Sequence, residues 1–160
     1  MKKQVCLRRT IHNPEINLLL VSFLFNFVWE MWQMPYYVGF NSLDHMSVVR
    51  TCTQASLGDG VISVLAFWSG AVIARSRGWI YTLPISSTVT YLASGVVITI
   101  FMEWLATEIW DRWEYASIMP ELPILGTGML PMLQWLILPP LILWVARQQT
   151  FTSQSKAICS

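Results

Sequence analysis

Four apolar runs decide most of what this chain can become. They cover residues 16–34, 55–74, 86–107 and 129–146. Each holds roughly 18–22 residues, enough at 1.5 Å per residue to cross a hydrocarbon core about 30 Å thick. Lipid offers no partner for backbone polar groups, so such runs fold as helices that satisfy themselves. The surface chemistry agrees: 12% of residues are charged, against about 25% in soluble domains. The first run ends in tryptophans and lacks an A-x-A site, so it reads as a retained span and not a cleaved signal peptide. The expected fold is therefore all-α, a polytopic integral membrane bundle of four transmembrane helices. It forms one domain over residues 1–160, with an outer interfacial segment between helices three and four and a polar cytoplasmic tail over 147–160.

Orientation follows from the basic residues. Lys2, Lys3, Arg8, Arg9, Arg75, Arg77, Arg147 and Lys156 all fall on one side of this topology. By the positive-inside rule that side is cytoplasmic. The acids do the reverse: of them, Glu15 alone is placed inside. The expectation is a bacterial inner-membrane protein with both termini cytoplasmic. Net charge is +1 with no clustered basic face, so no nucleic-acid partner is expected. The tryptophan-rich composition suits aromatic belts at the membrane interfaces. Cys6 and Cys159 fall inside and Cys52 outside, which implies no disulfide framework.

Within the apolar runs, the polar residues are not scattered. Ser22, Asn26, Glu30, Gln33 and Tyr37 are spaced 4, 4, 3 and 4 apart, along one face of the first helix. Gly95, Thr99, Glu103 and Thr107 make a similar stripe on the third. Asp59 and Ser63 lie four apart on the second, and Gln134 sits near the outer end of the fourth. Polar groups facing lipid are costly, so a bundle would turn these seams inward. The expectation is a shared pocket in the outer third, lined by Glu30, Asp59 and Glu103. Asn26, Gln33, Thr99 and Gln134 would supply neutral hydrogen bonds, and Trp104 an aromatic face. No base lies inside a span to neutralise the acids; Arg50, Arg112 and His45 are in the outer loops.

Plainer readings stand beside this one. Asp59, after Gly58, is also suited to N-capping the second helix. Glu30 and Glu103, near helix ends, can also reach interfacial water. The small residues around Gly95 also suit close helix packing. Several chemistries are excluded by missing patterns: there is no phosphate-binding G-x-x-x-x-G-K-[S/T] or G-x-G-x-x-G and no G-x-S-x-G elbow. His12 and His45 fall on opposite sides of the membrane, which excludes a bis-histidine haem or a histidine-rich di-iron site. Cofactor and metal stay unassigned.

The outer segment "EIWDRWEYASIMPELPILGTGMLP" predicts a short interfacial helix followed by a stiff, irregular path set by Pro120, Pro123, Gly126, Gly128 and Pro131. It could cover the pocket as a lid. Pro139 and Pro140 within the fourth run predict a kinked helix, because Pro139 leaves the Trp135 carbonyl without its donor.

Three stretches, "WEMWQMPYY", "CTQASLGDGVI" and "EWLATEIWDRWEYASIMPELPILGTGMLPMLQWLILPP", resemble a family of small bacterial polytopic membrane proteins of unassigned function, over most of residues 20–147. That resemblance implies no activity. A more distant one is to membrane-embedded carotenoid cyclases and hydratases, in which a W-x-Y element precedes a Pro-rich turn and a polar residue opens the next span. The matching positions are Trp113, Tyr115, Pro120, Pro123 and Gln134, with "PMLQW" where those cyclases carry an acidic pair. Three functions remain open. The first is a membrane protein whose pocket binds a lipid, an isoprenoid or a cation. The second is an accessory subunit packed against other membrane subunits. The third is an enzyme on an isoprenoid-like substrate, with Glu30 or Glu103 as general acid.

Overall fold

The computed structural model describes residues 13–123 and 126–158. Four long helices dominate. We label them α1 (Pro14–Gln33), α2 (His45–Ala74), α3 (Ile85–Trp104) and α4 (Met129–Ile158). All four are long and apolar enough to cross a membrane. Large apolar side chains point outward on each of them, among them Val28, Val72, Val97 and Trp144. A soluble bundle would bury such residues; here they face outward to lipid, and the chain has the build of a multi-pass integral membrane protein. The start of α1 and the turn of α4 around residue 146 lie at one end of the bundle. That end also carries the short connection 75–84; the opposite end carries the connections 34–44 and 105–128.

Between such helices lipid supplies no hydrophobic drive, so association rests on close packing and interhelical hydrogen bonds. The face of α2 turned inward is built for this: Cys52, Ser56, Gly60, Ser63, Phe67 and Gly70 are all buried, at helical spacing. A Cβ on Gly60 would sit 2.9 Å from Leu19 of α1, so the two backbones approach closely there. Gly70 makes room for the Trp79 ring, whose indole N–H donates to the Phe67 carbonyl at 3.2 Å. The hydroxyls of Ser63 and Tyr91 meet at 2.9 Å and tie α2 to α3. Leu18, Val21, Phe67, Trp79, Tyr91, Leu138 and Ile142 form one apolar core toward the end that holds the start of α1. There Asn17 of α1 donates to the Ala146 carbonyl of α4 at 2.9 Å. Arg77 pairs with Glu15 at 2.6 Å.

Several element boundaries differ from the expected ones. Helix α2 begins ten residues before the apolar run. Asp44 caps it, accepting from the backbone N–H of Met46 and Ser47 at 3.0 and 3.2 Å. Asp59 is therefore inside a helix, and the N-cap reading of it is wrong. At 30 residues α2 is about 45 Å long and exceeds the hydrocarbon thickness, so its first turns project beyond the apolar layer. The expected interfacial helix after α3 is not there. The chain tightens into a π turn, Leu105–Ile109, and then leaves helical geometry at Asp111, whose φ is 47°. Helix α4 does not end at 146 but continues through the expected polar tail to Ile158, passing Pro139 and Pro140 without interruption.

Candidate functional site

The polar seam of α1 lies inward along most of its length. Ser22, Asn26 and Gln33 are buried, and Glu30 is partly so. Asn26 turns its amide N–H groups back to its own helix, onto the Ser22 carbonyl at 2.8 Å and the Ser22 hydroxyl at 2.9 Å. That leaves its carbonyl oxygen facing the bundle. Gln134 of α4 meets it there: the Gln134 amide donates to Asn26 Oδ1 at 2.7 Å and to Asp59 Oδ2 of α2 at 3.0 Å. A longer approach, 3.4 Å, reaches Glu30 Oε1. One side-chain amide thus joins three helices at a single depth.

Glu30 and Glu103 are each held by a second group. Gln33 donates to Glu30 Oε1 at 2.9 Å and in turn accepts from the Trp29 indole at 3.0 Å. Glu103 of α3 accepts from the Tyr115 hydroxyl at 2.5 Å. Glu30 keeps its other oxygen without a donor from the described residues, while the Trp135 indole approaches the Asp59 carboxylate and the Trp113 indole that of Glu103. No Lys, Arg or His among the described residues comes within ion-pair distance of any of the three.

Glu30, Asp59 and Glu103 all line one cavity of about 440 Å³. Its walls are α1, α2 and α3, with Gln33, Ile62, Thr99, Met102 and Ala106 among the lining side chains. The roof is made of two loops, residues 37–43 and 110–113. They are joined by backbone bonds, Val38 N–H to the Glu114 carbonyl and Ala116 N–H to the Tyr36 carbonyl, both 2.9 Å. Across this junction Tyr37 packs on Trp113 and Tyr115, with ring centroids 6.2 and 5.7 Å apart. Burial, then the negative charge of Glu103, holds both phenols well above their ordinary pKa, so both stay protonated. Arg112 stands at the rim with its guanidinium 5.4 Å from the Trp113 ring. Thr99 is 5% exposed, and its hydroxyl, on the cavity wall, has no partner among the described residues. The indole N–H of Trp113, in the roof, is likewise buried and makes no well-formed hydrogen bond among them; Glu103 is the acceptor it approaches.

Of the residues singled out from sequence, Glu30, Asp59, Glu103, Gln33 and Thr99 line this space. Gln134 stands directly behind it as a donor to Asp59 and Glu30, and Asn26 stands behind that as an acceptor from Gln134. Trp104 does not belong to it. Its ring is half exposed, packs on Phe101, and borders a smaller hollow of about 140 Å³ shared with Glu103, Thr107 and Glu108. The step from Glu103 to Trp104 turns a helical residue by about 100°, which carries it off the inward face. Sequence reasoning missed Tyr115 as the partner of Glu103 and the roof residues Met34, Phe40 and Trp110. The available signal was the density of aromatics in both loops, which read equally as interfacial belt. Cys52, expected to be an accessible outer thiol, is fully buried. Cys6, Cys159, His12 and the basic residues at positions 2, 3, 8 and 9 lie outside the described residues. Among the described residues no three His, Cys, Asp or Glu side chains converge closely enough to hold a metal ion.

Compared with known proteins, the chain matches no family model, no curated protein and no solved structure.

Proposed function

We propose that this is a small-molecule-binding protein of the bacterial inner membrane, whose cavity takes up a mainly apolar ligand by a polar end. The observation that carries the reading is the meeting of three carboxylates, from three separate helices, on one space of about 440 Å³. Ligand sites in proteins run from about 300 to 1,000 Å³ and are mostly apolar with a few convergent polar groups. Ile62, Met34, Met102 and Phe40 supply the apolar part here. Intramembrane acids kept from lipid and left without a counter-charge mark functional sites far more often than structural ones. An isoprenoid or lipid body suits these walls, and Tyr115, from the W-x-Y element, sets the orientation of Glu103.

The roof faces outward across the membrane in this reading and the termini are cytoplasmic, since basic residues gather at the termini end. Cysteines introduced by Ser117→Cys in the roof loop and Ser76→Cys at the opposite end test this with an impermeant thiol reagent on intact cells. Ser117→Cys should label and Ser76→Cys should not; the reverse overturns the orientation. The binding reading is tested by mass spectrometry of an organic extract of the purified protein. One molecule should be retained by the natural chain and lost from Asp59→Asn. Bulk phospholipid alone, in both proteins, would refute it. A stoichiometric membrane partner would then favour the second reading, an accessory subunit, for which the exposed rings of Trp32, Trp104, Trp110 and Trp144 speak.

A further inference from the structure

Resting on the reading of this cavity as a ligand site, we infer that the polar end of the ligand is an organic cation, a protonated amine, on an apolar body. Charge balance points this way first. The charged residues lining the cavity are Glu30, Asp59 and Glu103 against Arg112 alone. Arg112 stands at the rim, over the Trp113 ring, away from ion-pair distance of all three. An anionic headgroup would meet net repulsion. A neutral carbonyl headgroup needs donors, and the Gln134 amide serves Asn26 and Asp59 while the Tyr115 hydroxyl serves Glu103, which leaves the Thr99 hydroxyl and the Trp113 indole against three carboxylates. What the wall mostly leaves over is acceptor capacity, since each carboxylate can accept about four hydrogen bonds and none of the three is filled. An ammonium, with donors and no acceptor, is the complement of such a surface.

Two independent observations point to a bound group and not to acids that merely happen to be near each other. The Thr99 hydroxyl, on the cavity wall and 5% exposed, has no partner among the described residues. Buried polar groups in folded proteins are nearly always satisfied, so something else in that space takes its bond. The rings of Tyr37 and Trp113, 6.2 Å apart and almost perpendicular, line the same space. Aromatic faces set at an angle around a carboxylate-rich floor are what recognises alkylammonium groups. A bare metal ion is a poor alternative, because the three carboxylates do not converge on one point.

The probe is hexylammonium, with 1-hexanol and hexyl sulfate as neutral and anionic counterparts of the same chain length. Binding is measured by equilibrium dialysis against the full chain in a neutral maltoside detergent. The cation should bind saturably at one per chain, and the two counterparts should not. Asp59→Asn and Glu103→Gln should each weaken it by about tenfold or more, as loss of one close charge in a partly desolvated site implies. Gly58→Trp should abolish it. Gly58 borders the cavity, and a Cβ there meets nothing within 4 Å, so a ring at this position finds open space beside the cavity without pushing the helix aside. An unchanged helical circular dichroism spectrum and a single elution peak keep each variant interpretable. Hexanol bound as tightly as the cation, and lost in Gly58→Trp, would overturn the cation while leaving the cavity as a ligand site. Absence of saturable cation binding would also overturn it. The retained molecule in the extract then decides the cavity reading separately.

Discussion

Replacing Gln134 with Met tests whether one amide holds the bundle together at the depth of the carboxylates. The two side chains are close in length and flexibility, so packing changes little. Two good hydrogen bonds disappear, to Asn26 at 2.7 Å and to Asp59 at 3.0 Å, with the weaker approach to Glu30. Interhelical hydrogen bonds in membrane proteins contribute about 0.6 kcal/mol on average and about 1.7 at most. Gln134 is 3% exposed, and its loss leaves Asn26 Oδ1 buried without a donor, which places both bonds toward the upper end. Gln134→Met should therefore destabilise by about 2 kcal/mol. Unfolding in a mixed-micelle denaturant series, followed by tryptophan fluorescence, reads this directly. Asn26→Leu provides the second arm of a double-mutant cycle. The coupling should be about 1 kcal/mol, because the pair shares one bond and the Asp59 contact falls to Gln134 alone. A loss under about 0.5 kcal/mol, or strict additivity with Asn26→Leu, would show that the amide is not the junction described.

Three further outcomes are expected. Gly95→Val should destabilise by about 1–3 kcal/mol in the same unfolding assay, because its Cβ would run into the Trp135 ring, which is 3% exposed and has nowhere to go. Arg77→Met should leave the unfolding midpoint in the same assay essentially unchanged, since the ion pair with Glu15 is over half exposed on the arginine side and surface pairs contribute little. The cap at Asp44 should be pH-dependent. The Ser47 hydroxyl, then the N–H groups of Ser47 and Met46, hold its carboxyl below the ordinary value. A depressed folded pKa means the contribution is complete at neutral pH and fades as pH falls below about 4. The difference in amide exchange at Met46 and Ser47 between the natural chain and Asp44→Ala should vanish in that acid range.

The sequence was most informative where lipid imposes a rule. An apolar run of about twenty residues has one way to satisfy its backbone, so the four helices were legible. A polar stripe at helical spacing has one way to avoid lipid, so the inward faces of α1 and α3 were legible too. Helix ends were not, because nothing about lipid fixes them. The start of α2 rests on the single cap at Asp44, in a stretch whose hydropathy reads as loop. The α4 extension past 146 is polar, and neither charge nor hydropathy distinguishes it from an unstructured tail. The roof was the least legible. Its residues are placed by contacts between positions nearly eighty apart, such as Tyr37 with Tyr115, which no local pattern encodes.

The two backbone hydrogen bonds that join the roof loops also set a rate. Val38 N–H on Glu114 and Ala116 N–H on Tyr36 are the backbone links across that junction. Parting them costs about 1–3 kcal/mol at the usual net value of a hydrogen bond. A gap of that size keeps roughly one molecule in six to one in a hundred and sixty open at any moment. Any occupant of the cavity then leaves on the timescale of loop opening, microseconds to milliseconds multiplied by its own hold on the walls. Residence time and affinity become separately adjustable. Val38→Pro or Ala116→Pro, each removing one N–H from the junction, speeds exchange, and substitutions at the carboxylates change how tightly the occupant is held.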